Sequence, residues 1–175
     1  LRRLQSALFD VRRFPFAYDV KTTLTAAEAY HRREGNCLSF TNLFVAMGRS
    51  LGIKVQSGLI TRVRGSERED DLIVVNTHVV AMLTQAGGTI FFDFDRTRRQ
   101  QPTAVRPLDD LWVTALYLNT RGADELRLRN TEAAARLFSD AVKLAPQFAA
   151  AWGNLGVARR RLGDTPGALA AYAEA

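Results

Sequence analysis

The chain has little of several reactive residues: one cysteine, Cys37, and two histidines, His31 and His78, in 175 residues. A lone thiol excludes an internal disulfide and leaves the cysteine-rich metal sites short of ligands. No apolar run reaches the roughly 18 residues that a membrane-spanning helix needs, so no membrane segment is expected. The chain opens on Leu1-Arg2-Arg3-Leu4, without Met and without a signal-peptide pattern. That start reads as the inside of a longer protein, which leaves a cytoplasmic and an exported or periplasmic location equally open. Acidic residues are outnumbered, 18 against 24 basic, for a net charge of +6. The basic clusters, Arg12-Arg13, Arg32-Arg33, Arg96 to Arg99 and Arg159-Arg160-Arg161, lie far apart. No aromatic residues interleave with them to stack on bases, so nucleic acid is not an expected partner.

What is present is enough apolar content, 47%, for a real core. Residues 1–20 suggest a short helix and then an extended segment, Phe14-Pro15-Phe16, that packs on the core. Thr25-Ala26-Ala27-Glu28 is a capping box, predicting a helix to about Arg33 that Gly35 stops. A second helix is predicted from Cys37 to Ser50, with Phe40, Leu43, Phe44, Met47 and Leu51 on one face and Gly52 at its end. Three strands follow, Ile53 to Val63, Leu72 to Leu83 and Thr89 to Asp95. The polar segment 64–71 reads as a hairpin loop, Gly87-Gly88 as a tight turn, and 102–107 as a linker marked by Pro102 and Pro107. Hairpin-length connections make the sheet antiparallel.

From about Asp109 the pattern is helical and repeats at a lag of 34 residues. It sets Gly122 on Gly156, Leu128 on Leu162, Ala134 on Ala168, Phe138 on Tyr172 and Ala141 on Ala175, and Pro146 closes the first unit. Trp152 then belongs to the repeat core. Two domains are thus expected, residues 1–105 and 109–175.

Cys37 stands at a predicted helix N-terminus, where unpaired N–H groups and the dipole favour a thiolate. His78 lies in a strand and can share its proton. A carboxylate on the far imidazole nitrogen would fix the tautomer. Asp93 and Asp95 both lie on the next strand and on one face of it. Asp93 is preferred because it sits within the apolar stretch, where a carboxylate needs a partner. The Cys37 backbone N–H would be one oxyanion donor. No spacing motif joins these residues into a metal site, and no cofactor is expected.

Arg33-Glu34-Gly35-Asn36-Cys37, followed by the apolar helix ending Arg49-Ser50-Leu51-Gly52-Ile53, resembles the nucleophile helix of the transglutaminase-like superfamily, a branch of the papain-like cysteine enzymes. The resemblance covers about residues 20–100. It implies an α+β fold with the nucleophile helix packed on an antiparallel sheet, and a triad of Cys37, His78 and Asp93. Leu38, Val79 and Phe94 stand where many members have two aromatics and a proline. No acidic cluster resembles the calcium sites of the animal cross-linking enzymes. Six residues before the cysteine, where papain-like enzymes commonly place an oxyanion side chain, this chain has His31. Residues 109–175 resemble tetratricopeptide repeats, one complete and one truncated, and the pairing of the two is similar to that of bacterial two-domain proteins. Arrays of fewer than about three such repeats are seldom stable alone, so further repeats are expected.

Together these point to a cysteine peptidase or amidohydrolase acting on a protein or peptide, with the repeat groove recruiting the substrate or a protein partner. The competing reading is a non-catalytic repeat scaffold carrying an inactive enzyme-like domain.

Overall fold

The computed structural model describes residues 6, 12, 14–60, 66–69, 72–75, 78–94 and 104–175. The short helix expected near the start and the carboxylate Asp95 lie outside the described residues. The chain divides into two compact units, Leu1–Val63 with Thr77–Asp109, and Arg64–Asn76 with Asp110–Ala175.

The first unit mixes helix and sheet. Its strands β1 (Ala17–Tyr18) and β2 (Glu34–Gly35) form a two-residue parallel pair. Between them lies α1 (Ala26–Arg32), opened by Thr25 and Glu28 as a reciprocal capping box. Arg33, at φ 55, closes the helix in the left-handed region, so the stop falls two residues before the glycine expected to make it. Gly35 instead begins the entry into α2 (Cys37–Ser50).

Phe40, Leu43, Phe44 and Val45 of α2 are buried in a core with Leu24, Ala29, Val55, Ala81, Leu83 and Phe92. Leu51, expected on that face, is the C-cap and is exposed. The helix packs against a four-stranded antiparallel sheet ordered β7-β6-β3-β8. These strands are β3 (Gln56–Ile60), β6 (His78–Gln85), β7 (Gly88–Phe92) and β8 (Val105–Leu108). β8 corrects the expected linker, for Pro107 sits in this strand opposite Gly58. Among the described residues β8 pairs only with β3, and an edge strand is one of the few places in a sheet where proline's missing N–H is tolerated.

The long strand expected over Leu72 to Leu83 is two elements. Its first part, β5 (Leu72–Val75), pairs with β4 (Ser66–Glu69) in a separate antiparallel hairpin, so the expected polar loop is itself half strand. A two-residue connection lets each strand satisfy the other's backbone groups locally. His78 therefore opens β6 and is not in mid-strand.

In the second unit this hairpin lies against α5, within a run of four helices. They are α3 (Asp110–Arg127), α4 (Thr131–Leu144), α5 (Ala149–Arg161) and α6 (Thr165–Ala173). Two close approaches recur 34 residues apart. A Cβ on Gly122 would stand 2.7 Å from the Phe138 ring, and one on Gly156 2.4 Å from the Tyr172 ring. In each helix pair the missing side chain is the space an aromatic ring fills. Trp152 is half-buried and its indole Nε1 donates to the Pro146 carbonyl at 2.7 Å.

Candidate active site

Cys37 is the first residue of α2 and is half-buried. A cap of buried polar groups holds its helix N-terminus. Asn36 Oδ1 accepts from the Ser39 backbone N–H and from Ser39 Oγ, each at 3.0 Å. Asn36 Nδ2 donates to Thr23 Oγ1 at 2.8 Å, and the Asn36 N–H to the Thr22 carbonyl at 2.9 Å. Ser39 Oγ in turn accepts from the Leu24 N–H at 2.8 Å. Thr23, Asn36 and Ser39 are all buried, and among the described residues no buried side-chain polar atom lacks a partner. Gly35, at φ +147, leaves room for this cap, since a Cβ there would lie 2.5 Å from Ser39 Cβ.

One turn along α2, on the same helical face as Cys37, Thr41 Oγ1 donates to the Val79 carbonyl at 3.1 Å. That bond pins the helix to β6 one residue beyond His78. The strand register then supplies the next partner. Ala81 of β6 faces Phe92 of β7, so the register carried on by one residue sets Asp93 opposite Val80. His78 is two residues from Val80, hence on the same face and diagonal to Asp93. The two side chains meet: His78 Nε2 and Asp93 Oδ2 are 2.8 Å apart, with side chains 13% and 20% exposed.

Cys37 also acts on His78, raising its pKa alongside Asp93. Burial pulls the imidazole pKa down. The hydrogen bonds from Asp93 and Cys37 and the charges of both overcome this and push it up to about 9. The raised pKa favours the protonated ring. Such a cation is the partner a thiolate nucleophile requires.

The structure thus joins His78 and Asp93 by a hydrogen bond, and Cys37 is among the groups that act on the His78 imidazole. His31 is exposed on the last turn of α1, its ring edge against Tyr30. The capping residues Thr23, Asn36 and Ser39 were not among the residues singled out from sequence. The available signal was Asn36-x-x-Ser39 directly before an apolar helix, an Asn in N-cap position. Aromatic side chains back the site: Phe94 stacks on Tyr18 at 4.8 Å and meets Phe40 edge-on at 5.4 Å between ring centroids. Among the described residues, no group of three or more His, Cys, Asp or Glu side chains is placed to hold a metal ion, and no helix is long and apolar enough to cross a membrane.

No curated protein and no solved structure matches the chain. Residues 4–93, more than half of it, match the family model of the transglutaminase-like superfamily.

Proposed function

The chain belongs to the transglutaminase-like superfamily, and from that membership we propose that it is a cysteine-dependent acyl-transfer enzyme, a peptidase or amidohydrolase acting on a protein or peptide. The observation that carries the reading is the His78–Asp93 hydrogen bond at 2.8 Å, on an imidazole whose pKa Cys37 also raises.

In this reading the Cys37 thiolate attacks the carbonyl carbon of an amide. The C–N bond breaks, the amine leaves with the proton that His78 carried, and a thioester remains on Cys37. Water then attacks the thioester, His78 takes its proton, and the acid is released as the thiolate re-forms. An amine in place of water would give transfer. Asp93 holds the ring in orientation. The Cys37 backbone N–H, at the positive end of α2, would stabilise the developing oxyanion. Hydrolysis is favoured over cross-linking because the sequence carries no sign of a regulated cross-linker.

The helical unit is read as tetratricopeptide repeats that recruit substrate or a protein partner. The Gly122–Phe138 and Gly156–Tyr172 approaches, repeated at 34 residues, support it.

The test is the rate of Cys37 alkylation by iodoacetamide near neutral pH, in the wild type and in His78→Ala. The enzyme reading expects labelling faster than a model thiol and a marked slowing in the variant. Labelling at the rate of an ordinary buried thiol, indifferent to His78→Ala, would overturn it and favour the non-catalytic scaffold.

A further inference from the structure

Asn36 caps α2 with the residue immediately before Cys37, and the choice of amide over carboxylate there has a chemical consequence. Asp and Asn are about equally good N-caps. This chain uses the acid elsewhere: Asp164 caps α6, accepting from the Gly167 N–H at 2.9 Å. At α2 the cap is the neutral amide, and the first turn of the helix contains no acidic residue. The positive end of the helix dipole is therefore not cancelled by its own cap.

We propose that Asn36 is a positioning residue for Cys37, one that fixes the nucleophile's helix N-terminus while keeping negative charge away from the sulfur. The proposal rests on the reading of Cys37 as the nucleophile. Asn36 acts through geometry and through the absence of charge. Its Oδ1 takes the Ser39 N–H and hydroxyl, and its Nδ2 is spent on Thr23 Oγ1. All of these contacts are buried, so a charge introduced here would be little screened.

The other ionisable groups on the elements packed against α2 already have roles. His78 of β6 and Asp93 beyond β7 pair with each other. Glu34 of β2 pairs with Arg32. On α1, Glu28 is held in the capping box, and His31 and Arg32 sit in the exposed last turn. Asp19, before α1, is bonded to the Thr22 hydroxyl and the Lys21 N–H, which hold its pKa below the ordinary value. β3, Gln56–Ile60, contains no ionisable residue.

An almost isosteric substitution separates the two roles of Asn36. Asn36→Asp keeps the acceptor that caps Ser39, and the Thr23 hydroxyl can turn from acceptor to donor to meet the second oxygen. What changes is one negative charge next to the nucleophile. The readout is the pH profile of Cys37 alkylation, with urea unfolding followed in parallel. Asn36→Asp is expected to move the midpoint of labelling up by about one pH unit and to slow labelling about tenfold at neutral pH. Asn36→Ser, a neutral cap, is expected to keep the wild-type midpoint.

A wild-type profile in Asn36→Asp would overturn the proposal. So would an upward shift in Asn36→Ser as large as in the acid, since a lost Thr23 contact would then account for both. The Asn36→Ser profile alone can refute the idea if the acid variant does not fold. Labelling that is indifferent to His78→Ala would instead remove the nucleophile reading itself, and this proposal with it.

Discussion

Replacing Asp93 by asparagine isolates what the carboxylate does for His78. The amide retains an oxygen that can accept from Nε2–H at the observed 2.8 Å but removes the charge. Of the influences that lift His78 to about 9, two come from Asp93, its hydrogen bond and its charge, and burial opposes them all. If Asp93 supplied the whole rise, the imidazole would return to its ordinary value of about 6.5; the Cys37 contributions remain, so the fall is smaller than that limit. At about pH 7.5 a group titrating at about 9 is ~97% cationic, and one titrating at about 6.5 is ~9% cationic. The imidazolium population then falls by up to about tenfold, and alkylation of Cys37 at that pH should fall within the same bound. Two measurements check this. The imidazole NMR resonances give the titration of His78 directly, with exposed His31 as the only other histidine in the spectrum. Iodoacetamide labelling gives the rate. If His78 of Asp93→Asn still titrates at about 9, or if the labelling rate is unchanged, the carboxylate is not what sustains the imidazolium, and the argument for Asp93 fails.

Thr41→Val keeps the side-chain shape and removes the bond to the Val79 carbonyl. Urea denaturation should show a loss of about 1–2 kcal/mol, with labelling of Cys37 slowed several-fold because α2 is no longer pinned beside His78. Gly35→Ala forces a Cβ to 2.5 Å from Ser39 Cβ at a φ of +147; a loss of about 3 kcal/mol in the same assay is expected. An alanine variant as stable as the wild type would contradict the close approach. The linkage of His78 to folding has a definite sign. Its folded pKa, about 9, lies above the unfolded value, so its contribution is complete below about pH 6.5 and disappears as pH rises through about 9. After solvent screening at this partly exposed site, about 1 kcal/mol should be lost between these limits. His78→Gln should abolish that pH dependence, and a stability that instead rises over the interval would refute it.

How much could be read in advance depended on how local the signal was. The capping box at Thr25 and Glu28 and the span of α2 from Cys37 to Ser50 are set by neighbouring residues, and the structure has them at the expected positions. The choice between Asp93 and Asp95 turned on strand register, which a sequence does not state. The register sets Asp93 diagonal to His78 and hydrogen-bonded to it, while Asp95 lies outside the described residues. β8 was hidden because Val105-Arg106-Pro107-Leu108 neither alternates nor permits a full ladder. The β4–β5 hairpin was hidden because Ser66–Glu69 is wholly polar, and polar strands look like loops. The cap joining Thr23, Asn36 and Ser39 spans both sides of α1, a contact that appears only once the chain has folded back.

The Pro107 strand also bears on how the molecule behaves in company. A sheet is open at its two edges, and an incoming strand from another chain extends it most readily where the outer row of donors is complete and uncharged. At β8 that row would have to form beside Arg106 and across Pro107, which has no N–H to give. Replacing that proline with valine would restore the missing donor. It would remove one of the obstacles that β8 sets against an added strand.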